Sequence, residues 1–245
     1  MYKTLLYKLV TYLSPNFDKY IADKFSGSEY LNIVDIGFYK GSFTRNIVSK
    51  VVKLNKDILI KVYSFDPNEK TILSEFKKFH DRNNFEWHHS NKAIGEFAKK
   101  ENFTILKAFP SSGSSIVNIL EDSFWYKSRK LIIDPFGKKD LHTSTISVEV
   151  DTLDNLFNKV QNINLLKIDV EGFSFQVLKG AKEFLLNNSP ILQVEVLSKK
   201  TEFDIRESEI IDFLNSVEYS LTSKKKHYTT HLFSDVICVD YLFEK

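Results

Sequence analysis

A carboxylate and two spaced glycines close the run Ile33-Val34-Asp35-Ile36-Gly37-Phe38-Tyr39-Lys40-Gly41, and these residue types at the end of a strand suit a loop that cradles a nucleotide. Gly37 and Gly41 can take positive φ, and they let a ligand approach backbone that has no side chain in the way. The dinucleotide fingerprint asks for a further glycine where Tyr39 stands, so the pattern points away from a pyrophosphate and toward a smaller adenosine ligand lying over the loop. A second acid, Asp66 in Phe65-Asp66-Pro67-Asn68, has a fork of oxygens that matches the vicinal hydroxyls of a ribose. Its structural alternative is a helix cap before Glu69-Lys70. A third cluster, Leu165-Leu166-Lys167-Ile168-Asp169-Val170-Glu171-Gly172, sets two carboxylates and a lysine together. Asp169 and Glu171 could act as a base, share a metal or hold a substrate, and as plain structure they would cap the following helix.

These residues need elements to bring them together. Leu31 to Ile36 is apolar enough for a strand buried on both faces, and Ser42 to Lys53 carries Phe43, Ile47, Val48 and Val51 at helical spacing. Ile58 to Phe65 reads as a second strand stopped by Asp66-Pro67, Thr71 to His80 as a helix, and Phe85 to His88 as a short third strand. Right-handed crossovers then lay the carboxyl ends of the first two strands beside one crevice, so Gly37 and Asp66 should converge. Farther on, Ile146 to Val150, Ile163 to Ile168, Ile191 to Val196 and Val236 to Phe243 read as strands. Ser174 to Leu186 and Glu207 to Val217 read as helices, and Thr152-Leu153-Asp154 opens another. Strands alternating with helices predict an open, mostly parallel α/β sheet covered on both faces.

At 245 residues the chain reads as a single domain, residues 1–245, with an N-terminal helical segment over 1–30. The weakly patterned stretch 98–140 is expected to be an insertion that meets substrate or forms a lid. A hydrophobic fraction of 42% against 27% charged residues is globular, and a formal charge of +2 gives no general attraction to nucleic acid or to an anionic membrane. Lys224-Lys225-Lys226 is expected to be a solvated loop before the last strand. The single cysteine, Cys238, excludes an internal disulfide and a Cys-rich metal site, and no run is long and apolar enough to span a bilayer. A soluble, cytoplasmic protein is expected. Leu5, Leu6, Leu9, Val10 and Leu13 form an amphipathic stripe that should pack on the core. His88 and His89 diverge if they lie on a strand, which suits neither a common metal nor a common proton path, and a surface role is expected for at least one. Zinc-protease, α/β-hydrolase and Walker motifs are missing from the sequence.

Taken in order, the segments Asp35-Ile36-Gly37-Phe38-Tyr39-Lys40-Gly41-Ser42-Phe43-Thr44, Phe65-Asp66-Pro67-Asn68, Asn91-Lys92-Ala93-Ile94-Gly95, Ser114-Ser115, Asp151-Thr152-Leu153-Asp154, Lys167-Ile168-Asp169-Val170-Glu171-Gly172 and Val177-Leu178-Lys179-Gly180-Ala181 resemble the FkbM family of S-adenosylmethionine-dependent methyltransferases over about residues 31 to 197. The resemblance implies a Rossmann-like, seven-stranded methyltransferase sheet and O-methylation of a hydroxyl on a sugar, a glycan or a secondary metabolite. It places the methionine part of the cofactor on the turn formed by Asp35, Gly37, Tyr39, Gly41 and Phe43, its ribose at Asp66 with Asn68, and its adenine beside Asn91 and Ala93. Ser114, Ser115 and Lys167 fall to the acceptor, and Asp169 and Glu171 to catalysis.

Two departures from the family pattern matter. Phe38-Tyr39 replace a usual Ala-Asn, which should narrow the site, and Asp66 replaces a usual Glu, so backbone must come nearer to the diol. Two other functions fit parts of the sequence: a binding domain that has kept the sheet without catalysis, and a nicotinamide-dependent oxidoreductase, against which Tyr39 counts. A divalent metal bridging a carboxylate and the acceptor hydroxyl is an alternative to a general base. The sequence does not specify the oligomeric state.

Overall fold

The computed structural model describes residues 16–68, 84–106, 143–160, 162–226 and 235–245. The amphipathic stripe at 5–13, the helix expected over 71–80, the core of the 98–140 insertion and Ser114-Ser115 lie outside the described residues.

In chain order come α1 (Phe17–Phe25), β1 (Tyr30–Ile36), α2 (Ser42–Leu54), β2 (Leu59–Phe65), β3 (Phe85–Ser90), β4 (Ala93–Ile94), β5 (Lys99–Leu106), β6 (Thr143–Asp151), the single turn α3 (Leu153–Leu156), β7 (Leu165–Ile168), α4 (Ser174–Lys179), α5 (Lys182–Asn188), β8 (Ile191–Lys199), α6 (Phe203–Ser216), β9 (Ser220–Lys226) and β10 (Val236–Glu244). The main sheet has seven strands in the order β3-β2-β1-β7-β8-β10-β9. Neighbours from β3 to β8 are parallel, whereas β10 enters antiparallel between β8 and β9. The fold is therefore mixed α/β with a mostly parallel sheet, and the reversed β10 sets it apart from a strict Rossmann order. The strand order reverses between β1 and β7, so a crevice opens at their carboxyl ends, where open α/β sheets bind ligands.

Burial on both faces explains the apolar strands. Alternate residues of β1 serve opposite sides: Leu31 and Ile33 pack with Phe17, Ile21, Ile47, Val48 and Val51 of α1 and α2, while Val34 and Ile36 pack with Val177, Leu178, Leu185, Ile210 and Leu214 of α4, α5 and α6.

Three sequence expectations are corrected. The strand expected at Ile146 to Val150 is longer and leaves the main sheet: β6 lies between β4 and β5 in a separate three-stranded sheet. There Ala93, Phe103, Val148 and Val150 bury their own small core. The helix expected from Ser174 to Leu186 is two helices broken at Gly180-Ala181. A Cβ at Gly180 would stand 2.0 Å from the Gly95 carbonyl oxygen, so this backbone is pressed against the small sheet and the helix jogs there. Lys224-Lys225-Lys226 is no loop but the end of β9, paired to β10 at the sheet edge, where lysines discourage pairing with another chain.

Candidate active site

The turn after β1 is built by backbone contacts. Gly37 has φ +81° and Gly41 φ +65°, and Tyr39, at φ +46°, holds the same left-handed region without being glycine. A Cβ on Gly37 would lie 1.7 Å from the carbonyl oxygen of Asp169, and one on Gly41 would meet the Phe38 ring at 2.5 Å. The close approach that demands glycine is thus made by the chain itself and not by a ligand, as the sequence reading had it. The N–H groups of Gly37 and Phe38 donate to Phe65 O at 3.0 and 3.2 Å, which fastens the turn to the end of β2. Asp66 completes the clamp: its Oδ2 accepts from Tyr39 N at 2.6 Å and its Oδ1 from Asn68 N at 2.8 Å. Burial raises the Asp66 carboxyl, against the lowering effect of those backbone bonds. Phe38 does not narrow the crevice as expected, because its ring, 3% exposed, turns into the core and stacks on Trp87 at 5.7 Å between centroids.

A line of charges crosses from β1 to β7. Asp35 is buried, and its Oδ2 accepts from Thr44 Oγ1 of α2 at 2.6 Å. Its Oδ1 has no hydrogen-bond partner among the described residues and lies 4.0 Å from Lys167 Nζ. Lys167 Nζ donates to Asp169 Oδ2 at 2.8 Å and stands 5.2 Å above the Phe43 ring. Burial pushes the Asp35 carboxyl up to about 6, against Lys167 and Thr44, which favour its charged form. Burial would lower the Lys167 ammonium, yet Asp169 and Asp35 outweigh it and hold it above its ordinary value. Among the described residues Lys167 faces Asp35 and Asp169 and feels the charge of Asp66, a group that together carries more negative than positive charge. Glu171, at φ +51°, and Gly172, at φ +95°, turn the chain back into α4. The residue at the N-cap of that helix is Phe173, whose side chain makes no cap hydrogen bond.

The remaining sequence candidates divide. Asn91 follows β3, and its Oδ1 lies 3.1 Å from His89 Nε2. The strand end it follows touches Asp66, whose N–H donates to Ser90 O at 3.1 Å. Ala93 packs its methyl into the small sheet, so only its backbone can meet a ligand. His88 and His89 do diverge: His88 stacks on Tyr63 and pairs with Glu86, while the His89 ring faces Ser64 and Phe38. Among the described residues no three His, Cys, Asp or Glu side chains are grouped as a metal ion requires.

The sequence profile of the Methyltransferase FkbM domain matches residues 35–221. The chain belongs to the FkbM methyltransferase family. Solved structures of similar fold include an FkbM methyltransferase from Methylobacillus flagellatus, 14% identical, with a TM-score of 0.49 over 87% of this chain and 44% of that one. Another is M. jannaschii TYW2 in complex with AdoMet, 12% identical, with a TM-score of 0.42 over 93% of this chain and 74% of that one. The chain thus spans less than half the length of that FkbM methyltransferase. A comparison with curated proteins finds no match.

The structure of this FkbM chain also brings in residues that the sequence reading had not singled out as site residues. Thr44 holds Asp35 from the first turn of α2. Glu195 of β8 adds a carboxyl beyond Lys167; loss of solvent, then the charges of Asp169 and Glu171, raise it well above its ordinary value, and Cys238 Sγ donates to its Oε1 at 3.1 Å. The readable signal was a lone acid inside the apolar run Ile191 to Leu197. Ser64 and Trp87 carried no such signal, because strand residues of these types are ordinary.

Proposed function

We propose that the chain is an S-adenosylmethionine-dependent O-methyltransferase that acts on a hydroxyl of a sugar, a glycan or a secondary metabolite. The observation that carries this reading is the negative crevice at the strand-order reversal, where Asp35, Asp66 and Asp169 outnumber Lys167. The donor set fits the cofactor. Acids suit a ligand bearing a sulfonium and an ammonium, and the N-terminus of α2, which has no side-chain cap, suits a carboxylate. Asp66 spends one lone pair of each oxygen on backbone, and a carboxylate has about four, so two remain for the ribose diol. Asn68 shapes that acid, and Asn91 stands on the base side.

When bound, the cofactor supplies an electrophilic methyl group. The chain's part is to align an acceptor oxygen with it, and alignment accounts for most of the gain in such a transfer. Asp169, oriented by Lys167, takes the hydroxyl proton as the oxygen–carbon bond forms and the sulfur–carbon bond breaks. Glu171, at the tip of the same turn, holds the acceptor with Lys167. Among the described residues no three His, Cys, Asp or Glu side chains cluster as a bridging metal would require. Ser114, Ser115 and the 98–140 segment are assigned to the acceptor side of one domain.

Titration calorimetry tests the reading. The wild-type chain should bind S-adenosylmethionine, and Asp66→Ala should weaken binding about tenfold or more, the loss of charge-assisted hydrogen bonds. A wild-type chain without affinity overturns it. Asp169→Asn should bind the cofactor as the wild type does and fail to methylate an acceptor that the wild type turns over.

A further inference from the structure

Three carboxyl groups follow one another across the ends of the central strands. Ile168 of β7 pairs with Val194 of β8, so Asp169, the first residue past β7, comes beside Glu195. On its other side Glu195 pairs with Asp240 of β10. Asp169 N donates to Ile36 O at 2.9 Å, and the Asp169 carbonyl is the one that crowds Gly37, so the row begins against the β1 turn. The carboxyls of Asp169 and Glu195 are hydrogen-bonded to each other. Asp169 Oδ2 also accepts from Lys167 Nζ at 2.8 Å, Cys238 Sγ donates to Glu195 Oε1 at 3.1 Å, and Ser174 Oγ donates to the Glu195 carbonyl at 2.7 Å.

A hydrogen bond between two carboxyl groups requires a proton, because ionised carboxylates only accept. Charges bear on Glu195 from the elements around it. Asp169 and Glu171 from the turn after β7, and Asp240 from β10, favour its neutral form, and Lys167 of β7 favours the charged one. Burial holds the Cys238 thiol above its ordinary value, so it stays a donor. Two carboxylates within hydrogen-bond reach do not both ionise, and the single proton belongs to the pair rather than to either acid. A separate observation shows the same shortage of positive charge. Asp35 Oδ1, fully buried and 4.0 Å from Lys167 Nζ, has no hydrogen-bond partner among the described residues. The crevice is built to receive a cation.

S-adenosylmethionine carries a sulfonium, and its product S-adenosylhomocysteine a neutral thioether. We propose that Asp169 and Glu195 act as one proton-exchanging pair, which holds a proton while the crevice is empty or contains the neutral product and gives it to solvent when the sulfonium is seated. The pair can then take the proton of the acceptor. In the transfer the acceptor O–H bond breaks and its proton passes to Asp169. The electron pair of the oxygen forms the bond to the methyl carbon, and the electrons of the sulfur–carbon bond return to sulfur. The sulfonium charge disappears as the pair regains its proton, so the net charge of the crevice stays the same throughout. Glu195 acts through Asp169 and is a positioning residue. This rests on the cofactor reading above and deepens it, naming the residue that matches the site to the charged form of the cofactor.

Calorimetry of the full-length chain at about pH 7, in two buffers of different ionisation enthalpy, counts the protons exchanged on binding. At that pH the amino groups of both ligands are largely charged, so S-adenosylmethionine should release about one proton more than S-adenosylhomocysteine. Glu195→Gln stays neutral, keeps a donor toward Asp169 and has no proton to give. In it the difference in proton release should vanish, and the preference for S-adenosylmethionine over S-adenosylhomocysteine should fall about threefold or more. Infrared difference spectra of the wild type give a second reading that needs no variant: the C=O stretch of a protonated carboxyl should be lost on adding S-adenosylmethionine and kept on adding S-adenosylhomocysteine. Equal proton release with the two ligands, a difference that survives in Glu195→Gln, or a carboxyl band that does not respond overturns this inference and leaves the cofactor reading standing. A wild-type chain that binds neither ligand overturns both.

Discussion

Asp35 and Gly37 stand two residues apart at the end of β1 and are constrained by different physics. Asp35 is charged against its surroundings: burial lifts its carboxyl from an ordinary 3.8 to about 6. A folded-state value above the unfolded one means that the native chain binds more protons between those limits. The stability this residue contributes is therefore whole below about pH 4 and is lost as pH rises through about 6. Asp35→Asn should keep the Thr44 bond and flatten that slope, a change of about 3 kcal/mol at most across the window, read by urea unfolding at pH 4, 5, 6 and 7. An unchanged slope would mean that Asp35 titrates as it does in the unfolded chain. Gly37→Ala faces sterics, with φ +81° and the Asp169 carbonyl oxygen 1.7 Å from the new Cβ. It should cost about 3 kcal/mol or more, measured by the same unfolding, and a loss under 1 kcal/mol would show that the turn can yield. The acids and glycines of the crevice were legible because few residue types do their work. The reason for Gly37 was not, since the backbone that crowds it is about 130 residues away in sequence and only the fold brings it near.

The small sheet shows what local pattern leaves out at the scale of elements. Alternation in Ile146 to Val150 correctly gave a strand, but period two says nothing about which sheet it joins. Burial of Phe103 against Val148 and Val150 decides that. The jog between α4 and α5 has the same origin, for the helical pattern continues through Gly180 and the interruption is imposed by Gly95. Lys179 and Glu96 pair across this contact, and Asp154 N donates to Gly180 O at 3.1 Å. Gly180→Ala should force the small sheet from the helices and destabilise the chain by about 2 kcal/mol or more, because the obstacle is backbone and not a side chain that can turn aside. Equal urea midpoints for the variant and the wild type would remove this role. By contrast β1 and β2 were legible to within a residue, because strands buried on both faces are rich in apolar residues, whereas β7 begins two residues later and β8 runs three residues farther than expected.

For the molecule as a whole, strand order matters more than any one strand. Because the order reverses between β1 and β7, residues separated by a third or more of the chain share one crevice, and a ligand seated there would bridge both sides of the reversal. Occupancy should then stabilise the entire fold: S-adenosylhomocysteine at about a hundredfold its dissociation constant should add about 2.7 kcal/mol, raising the melting temperature by roughly 5 to 10 °C for a chain of this size. No shift in scanning fluorimetry at saturating ligand would contradict the bridge. The packing of Gly37 on the Asp169 carbonyl also limits how such a site can diverge. Positions 38 and 39 are open to drift, as a phenylalanine and a tyrosine already stand there, one ring sunk in the core and one backbone held in a conformation that tyrosine seldom takes. Position 37 has no such latitude, because no compensating side-chain change can move a carbonyl that belongs to the neighbouring strand's turn.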